Sequence, residues 1–263
     1  MWPYGDTVFH LPHNEVNPSR SDALHGFLFN RSLQVESQLT SDTNASVTLA
    51  AQFYVGEHAG WPFNATIRIR YELSAHSLSV TTMMTSDMQD GRPLPFFHGC
   101  HPYFVVSDVS KATLQLDPCS KWSQVDMPAG APRNGSLIPT GTFTPFDSFD
   151  GKHPIGGTEE QPTYLDNEYK ALAGELSCPS LAFRIADRGG DGAVMRLQGD
   201  HHYRWFHVFT GARLLWGEPA VAMEPMSAMA DAYNNHDGLS VLIPGQTFEG
   251  TFSIGLWPED QKL

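Results

Sequence analysis

Alternation of apolar and polar residues is the dominant pattern along the chain. In Thr66–Leu73 (TIRIRYEL), every second residue is apolar and charged residues lie between them. A period of two is typical of a β-strand with one buried and one solvent-facing side. The stretch LSVTTMMT follows after the short polar break at residues 74–77, so the two runs together predict a β-hairpin.

Similar short runs recur to the C-terminus, whereas helical periodicity is poor. The further predicted strands are VTLAAQFYV, LAFRIA, YRWFHVFT and FEGTFSIGLW, and only MSAMADAYNN, after Pro225, suggests one or two helical turns. With 19 prolines and 23 glycines between the runs, the pattern predicts an all-β fold, a large antiparallel β-sandwich with long connections. Residues 126–162 lack periodicity and are predicted to form a loop, either a site wall or an insertion. Residues 1–263 are interpreted as one domain.

Composition narrows the classes of ligand. The 263 residues are 41% hydrophobic, enough for a large core, and carry a formal net charge of −13. Such a surface repels phosphate backbones and anionic lipids, so we expect a neutral small molecule rather than nucleic acid or membrane as partner. Three cysteines without a CxxC pair argue against a disulfide framework and a zinc ribbon. No leader or apolar span is visible, which predicts a cytoplasmic protein. We also expect a monomer or a weak homodimer.

The segment FFHGCHPYF contains the first candidate for chemistry. In an extended strand, four positions share one face: Phe97, Gly99, His101 and Tyr103. Aromatic rings suit the apolar faces of a sugar, and the glycine leaves a gap that could admit one. His101 is therefore either a site histidine or a histidine satisfied within an aromatic core.

A second candidate is the glutamate in PAVAMEP. Alternation directs Ala220, Ala222 and Glu224 to one side of a strand, and Val221 and Met223 to the other. A carboxylate beside small apolar residues has space around it, and its burial is costly unless it is paired or used. The alternative is a glutamate at a strand end that simply reaches solvent.

Taken together, an imidazole and a carboxylate could open a cyclic hemiacetal. The reaction needs a base for the anomeric hydroxyl proton and an acid for the ring oxygen. At neutral pH an ordinary glutamate is ionised and an ordinary histidine is partly protonated, so Glu224 and His101 could supply one group each. No metal, nucleotide or other cofactor is required.

Three segments in order resemble the aldose 1-epimerase family, also called galactose mutarotase-like, which includes sugar-phosphate 1-epimerases. They are DALHGFLFNR, HGCHPYF, and VAMEPMSAMADAYN with the later LIPGQTFEG. The resemblance implies the family's large antiparallel sandwich, or supersandwich, with an open groove. It also implies His101 as general acid and Glu224 as general base, with His25 and Asp166 binding sugar hydroxyls.

The chain departs from the family pattern near its start. The family's first strands, with an arginine that helps to bind substrate, are not found before His25, so either the chain is a fragment or the site lacks that arginine. Many members also have an arginine where this chain has Phe29, and Arg31 is the candidate substitute. Arg31 and Tyr103 are therefore added to the predicted substrate-binding residues.

Two other functions stay open, and other motifs are interpreted as structural. The chain could be a non-catalytic carbohydrate-binding protein of the same fold, or a hexose-6-phosphate 1-epimerase using Arg31 and Arg92. We expect no metal site, because the histidines of HLPH lie in a proline-containing loop without a second pair. His201, His202 and His207 are interpreted as core or surface residues of a strand, and residues 189–192 (GGDG) as a turn.

Overall fold

The computed structural model describes residues 8–17, 20–116, 121–129, 136–156, 163–172, 181–186, 194–213 and 217–257. Antiparallel β-strands dominate these ranges. The first ten strands are β1 (Glu15–Asn17), β2 (Arg20–Asp22), β3 (Gln34–Thr40), β4 (Ala45–Phe53), β5 (Ala65–Leu73), β6 (Ser77–Ser86), β7 (Leu94–Phe96), β8 (Tyr103–Val105), β9 (Thr113–Leu116) and β10 (Lys121–Val125). They are followed by β11 (Phe143–Phe146), β12 (Asp150–Pro154), β13 (Asp166–Leu172), β14 (Leu181–Ala186), β15 (Val194–Gly199), β16 (Trp205–Arg213), β17 (Pro219–Met226), α1 (Ala232–Asn235), β18 (Ser240–Leu242) and β19 (Thr247–Trp257).

The larger sheet has nine strands in the order β12-β9-β14-β15-β19-β6-β5-β4-β3. The predicted hairpin is confirmed within it, because β5 and β6 pair over their full lengths, from Ala65 opposite Ser86 to Leu73 opposite Leu78. The inner face of this hairpin carries the alternating apolar residues: Ile67 and Ile69 are buried, whereas Arg68 between them is half-buried and Arg70 after them is exposed.

The smaller sheet has six strands in the order β11-β10-β13-β16-β17-β8. The chain before β8 already runs beside β17, because the Cys100 amide donates to the carbonyl of Pro225 over 3.1 Å. The Ser227 amide likewise donates to the carbonyl of His98 over 2.8 Å. These bonds hold residues 98–105 in an extended conformation, with His98 and Phe104 buried and Tyr103 exposed.

The main core lies between the two sheets. Val80, Leu197 and Phe252 of the larger sheet and Phe206 and Met223 of the smaller sheet belong to one cluster of buried apolar residues. Because side chains alternate along a strand, the neighbours of Phe206 and Met223 project to the opposite face of the smaller sheet. We call this the outer face.

The outer face is partly covered by the chain that follows β17. A second, small apolar cluster there joins Val125 of β10, Trp205 of β16 and Met229, three residues beyond β17. The single turn of α1 follows, as the sequence predicted. Side chains on the outer face between this cover and β8 are therefore shielded from water to different degrees.

The prediction of a loop over residues 126–162 is wrong for two of its parts. Residues 143–146 form β11 and residues 150–154 form β12. Both are edge strands whose side chains are exposed or only partly buried, so neither carries a period-two pattern of apolar residues. The predicted turn at residues 189–192 lies outside the described residues.

Helical structure is minimal in the described ranges. The helix α1 is four residues long, and no helix there is long and apolar enough to cross a membrane.

Candidate active site

An imidazole and a carboxylate meet on the outer face of the smaller sheet. The His101 Nε2 atom lies 3.1 Å from the Glu224 Oε1 atom, with side-chain exposures of 31% and 13%. β17 positions Glu224 by alternation, because its neighbours Met223 and Pro225 are buried. His101 comes just before β8, where the segment 98–105 runs beside β17. The two residues singled out in the sequence therefore share one partly open site.

A second histidine lies directly beside this pair. In the sheet register His207 of β16 is opposite Glu224 of β17 and also opposite Glu168 of β13. Its Nε2 atom is 2.8 Å from the Asp166 Oδ1 atom, and the side chains of His207 and Asp166 are 14% and 11% exposed. Asp166, which the sequence predicts to bind substrate, therefore lies in the site hydrogen-bonded to His207.

His207 and Glu168 are site residues that sequence reasoning did not assign. A signal existed for each: His207 alternates with the buried Phe206 and Val208, and Glu168 is two residues from Asp166 on one strand. Alternation places both on the outer face. It does not reveal that the strands β13, β16 and β17 are neighbours there, which needs long-range pairing.

His25 lies at the rim of the site in a strained turn. Its φ is +60°, a left-handed conformation that few non-glycine residues adopt, and Gly26 follows at +63°. The Asn14 side chain holds the preceding residue from both sides, donating to the Leu24 carbonyl over 2.8 Å and accepting from its amide over 2.6 Å. The His25 ring lies 5.4 Å from that of His101, at 82°.

Arg31 is engaged by contacts with residues of β4 and of the connection after it. Its Nη1 atom donates to Glu57 Oε1 over 2.7 Å, and its guanidinium lies 4.4 Å from the centre of the Phe53 ring. These contacts tie the turn that carries His25 to the connection between β4 and β5. Its predicted role in substrate binding stays a prediction.

Tyr103 forms an aromatic wall beside the imidazole. Its ring centre lies 4.7 Å from that of His101, and the residue is 41% exposed. An exposed ring next to His101 and Glu224 offers an apolar surface against which a sugar ring could pack.

Burial shifts the pKa values of the two central groups in opposite directions. It raises the pKa of Glu224 to about 7, the positive charge of His207 opposing this rise. Burial, with the neighbouring His25, lowers the pKa of His101. Within 3.1 Å of one another, the two groups titrate as a pair, and near neutral pH a proton can pass between them.

Glu168 is the most deeply buried acid of the site. The side chain is 0% exposed, and burial raises its pKa to about 7. The Ala230 amide, from the chain that covers the outer face, donates to both carboxylate oxygens over 3.2 and 3.3 Å. Glu168 is thus protonated over a wider pH range than an ordinary glutamate.

A possible metal-binding group lies elsewhere. Among the described residues, Asp200, His201 and His202 have ligand atoms within 4.8 Å of one another. Asp200 is already bonded to the Thr251 amide and to the His202 amide, over 2.7 and 2.8 Å, so its carboxylate serves the turn before β16.

Comparison with known proteins identifies the sequence family. The family model for aldose 1-epimerase matches residues 3–255. No curated protein sequence gives a significant match.

Solved structures show the same fold at low sequence identity. A galactose mutarotase-like protein from Clostridium acetobutylicum is 16% identical with a TM-score of 0.76, the match covering 98% of this chain and 75% of that one. A galactose mutarotase-like protein from Lactobacillus casei is 19% identical with a TM-score of 0.61, covering 95% and 80%. An aldose epimerase homologue from C. elegans is 17% identical with a TM-score of 0.63, covering 87% and 69%. The predicted galactose mutarotase-like β-sandwich is confirmed.

Proposed function

The chain belongs to the aldose 1-epimerase family, and we propose that it interconverts the α and β anomers of a hexose without a cofactor. The observation that carries this proposal is the contact between His101 Nε2 and Glu224 Oε1, 3.1 Å apart on a partly exposed sheet face. One acid and one base within reach of the same sugar are the minimum equipment for opening and reclosing its ring.

The proposed mechanism uses each group twice. Glu224 removes the proton of the anomeric hydroxyl while the bond from C1 to the ring oxygen breaks, and His101 donates its proton to that oxygen. The open aldehyde rotates about C1–C2. The hydroxyl then adds to the other face of the carbonyl and returns its proton to His101, while Glu224 reprotonates the anomeric oxygen. Both groups end as they began, so the cycle needs no external proton donor.

The electrostatics of the site suit this exchange. A base and an acid work best when their pKa values lie near the working pH, and burial moves that of Glu224 to about 7. Each group of this kind typically contributes about 10²–10⁴-fold to a rate. That is sufficient for a hemiacetal that already opens slowly in water.

We propose that the neighbouring polar groups hold the sugar. His25, beside the His101 ring, and Asp166 would bond hydroxyl groups, and the exposed Tyr103 ring would pack against an apolar sugar face. Arg31 would act at most at the edge of the substrate, since its guanidinium is paired with Glu57. A cytoplasmic location and a monomeric or weakly dimeric state remain predictions from the sequence.

An unphosphorylated sugar fits the charges better than a sugar phosphate. Arg31 is paired with Glu57 and Arg92 with Asp90, both over 2.7 Å, so each predicted phosphate ligand already has a carboxylate partner. The site itself carries three carboxylates: Asp166, Glu168 and Glu224. A phosphate group near them would be repelled.

Polarimetry on freshly dissolved α-glucose and α-galactose tests the proposal, with the spontaneous rate subtracted. We expect Glu224→Gln to lower the catalysed rate by about 10²-fold or more, because an amide cannot take the proton. Sugar binding, followed by NMR line broadening, should persist. Glu249→Gln, at an exposed position in β19, is the matched control and should retain full activity.

Two results would contradict the proposal in different ways. An unchanged rate in Glu224→Gln would remove Glu224 as the base. Sugar binding by the wild-type protein without any acceleration of anomerisation would instead indicate a non-catalytic carbohydrate-binding protein.

A further inference from the structure

One imidazole lies among three carboxylates on the outer face of the smaller sheet. His207 is the cross-strand neighbour of Glu168 on one side and of Glu224 on the other, and its Nε2 atom bonds Asp166 over 2.8 Å. Directly opposite side chains in an antiparallel sheet have Cβ atoms about 4.5–5.5 Å apart, close enough for strong charge coupling.

The other basic side chains near His207 either have a carboxylate partner of their own or lie on the far side of Glu224. Lys170, two residues after Glu168, is ion-paired with Asp237 over 2.6 Å. His101 and His25 also face the site, but both are nearer the rim, and His101 already contacts Glu224. Among the described residues, His207 is thus placed to balance the negative charge of Glu224 from the buried side.

We propose that His207 is a positioning residue that, held protonated by Asp166, stabilises the ionised carboxylate of Glu224 and so favours the form in which Glu224 acts as the base. The assignment of a base rests on the proposed function, whereas the charge coupling between the two residues does not. In this arrangement Asp166 acts partly through His207, orienting the imidazolium as well as facing the groove.

The direction of the pKa shifts agrees with this geometry. Burial alone would lower the pKa of His207, but the hydrogen bond with Asp166 and the charges of Glu224 and Glu168 outweigh burial and raise it. Burial raises the pKa of Glu224, and His207 opposes the rise. Without the imidazolium, the pKa of Glu224 would rise further, and a smaller fraction of its carboxylate would be ionised and able to act as the base.

Replacement of His207 by glutamine separates charge from hydrogen bonding. In His207→Gln the amide can still donate to Asp166, but the positive charge is gone. In protein labelled with ¹³C at the glutamate carboxylates, we expect the apparent pKa of Glu224 to rise by roughly 1 to 3 pH units. The Glu224 signal is assigned by its loss in Glu224→Gln. His202→Gln, at the turn before β16, is the matched control and should leave that titration unchanged.

The activity profile gives a second readout. The acid limb of kcat/KM against pH should move upward in His207→Gln. A limb that stays in place, or a uniform loss at every pH, would overturn the proposal and leave His207 a merely structural role. A wild-type protein that does not anomerise sugars would refute the proposed function, whereas the carboxylate titration would still test the coupling.

The unsubstituted protein provides a check that does not depend on the folding of a variant. Imidazole ¹⁵N spectra should show both His207 nitrogens protonated at pH 7.5, above the ordinary pKa of histidine, about 6.5. A neutral His207 at that pH would overturn the proposal.

Discussion

Glu168→Gln should stabilise the protein, and more strongly at high than at low pH. Glu168 is 0% exposed, and burial raises its pKa from 4.5 to about 7. The folded state therefore binds this proton more tightly than the unfolded state. Stability falls as the pH rises from about 4.5 to about 7, and above this range the cost of burying the charge is complete. Glutamine removes the titration and so removes that cost.

The magnitude follows from the pKa difference. A difference of about 2.5 between folded and unfolded values corresponds to roughly 3 kcal/mol, since each pKa unit is about 1.4 kcal/mol. Part of this gain is offset, because His207 loses one of its anionic neighbours in the variant. The glutamine carbonyl can still accept from the Ala230 amide. We therefore expect a gain of about 1–3 kcal/mol at pH 8 and little change at pH 5.

Urea denaturation at pH 5, 6, 7 and 8 measures this difference directly. Wild type, Glu168→Gln and the exposed control Glu249→Gln are compared, and the control should show a small difference that does not grow between pH 5 and pH 8. If Glu168→Gln lost stability at pH 8, the attraction between Glu168 and His207 would outweigh the cost of burial, and the reasoning would be wrong. A gain independent of pH would equally refute it, because the effect would not come from ionisation.

Two further predictions concern the proposed catalytic pair and the segment that covers the outer face. The kcat/KM of the wild-type protein should follow a bell-shaped curve with its maximum near neutral pH, because Glu224 and His101 must share one proton. A kcat/KM that does not change between pH 5 and pH 9 would contradict this. Gly238→Ala should destabilise the protein by about 2 kcal/mol or more in urea denaturation, because φ is +85° and a Cβ would lie 2.8 Å from the Ala228 Cα and collide with the Trp205 ring. If Gly238→Ala were as stable as the wild type, the segment that covers the outer face would be loosely packed.

The sequence predicts those strands in which apolar and polar residues alternate. The β5–β6 hairpin could be predicted because burial on one side imposes a period of two. The side of β17 that carries Glu224 could be predicted from strand geometry alone, although residues 220–223 are buried on both sides. The same rule assigned His101 and Tyr103 to one face, although only residues 103–105 form a strand. A segment hydrogen-bonded along β17 keeps its alternation even where it is not regular.

Alternation fails where a strand has no buried face. β11 and β12 lie at the edges of the two sheets, and their exposed side chains leave no periodic signal. Alternation also cannot show whether the strand face away from the core is exposed to water or covered by another part of the chain. His207 was accordingly interpreted as a core or surface residue, because nothing in YRWFHVFT indicates that residues beyond β17 fold over this face.

The two faces of the smaller sheet meet different physical demands, and this explains where the site lies. The inner face packs against the larger sheet through residues such as Phe206 and Met223, where an unpaired charge would be prohibitively costly. In the described part of the chain the outer face has a small apolar cluster, beside which Glu168, His207 and Glu224 line up across three strands. Glu168 is fully buried, His207 and Glu224 are slightly exposed, and His101 is the most exposed of the four. This difference in exposure would let one end of the row hold charge away from water while the other end admits the proposed sugar. Moving the pair to the inner face would disrupt the core, and moving it to an uncovered face would return the pKa of Glu224 toward its ordinary value. The partial cover over the outer face is therefore as much a requirement of the proposed chemistry as the two catalytic side chains.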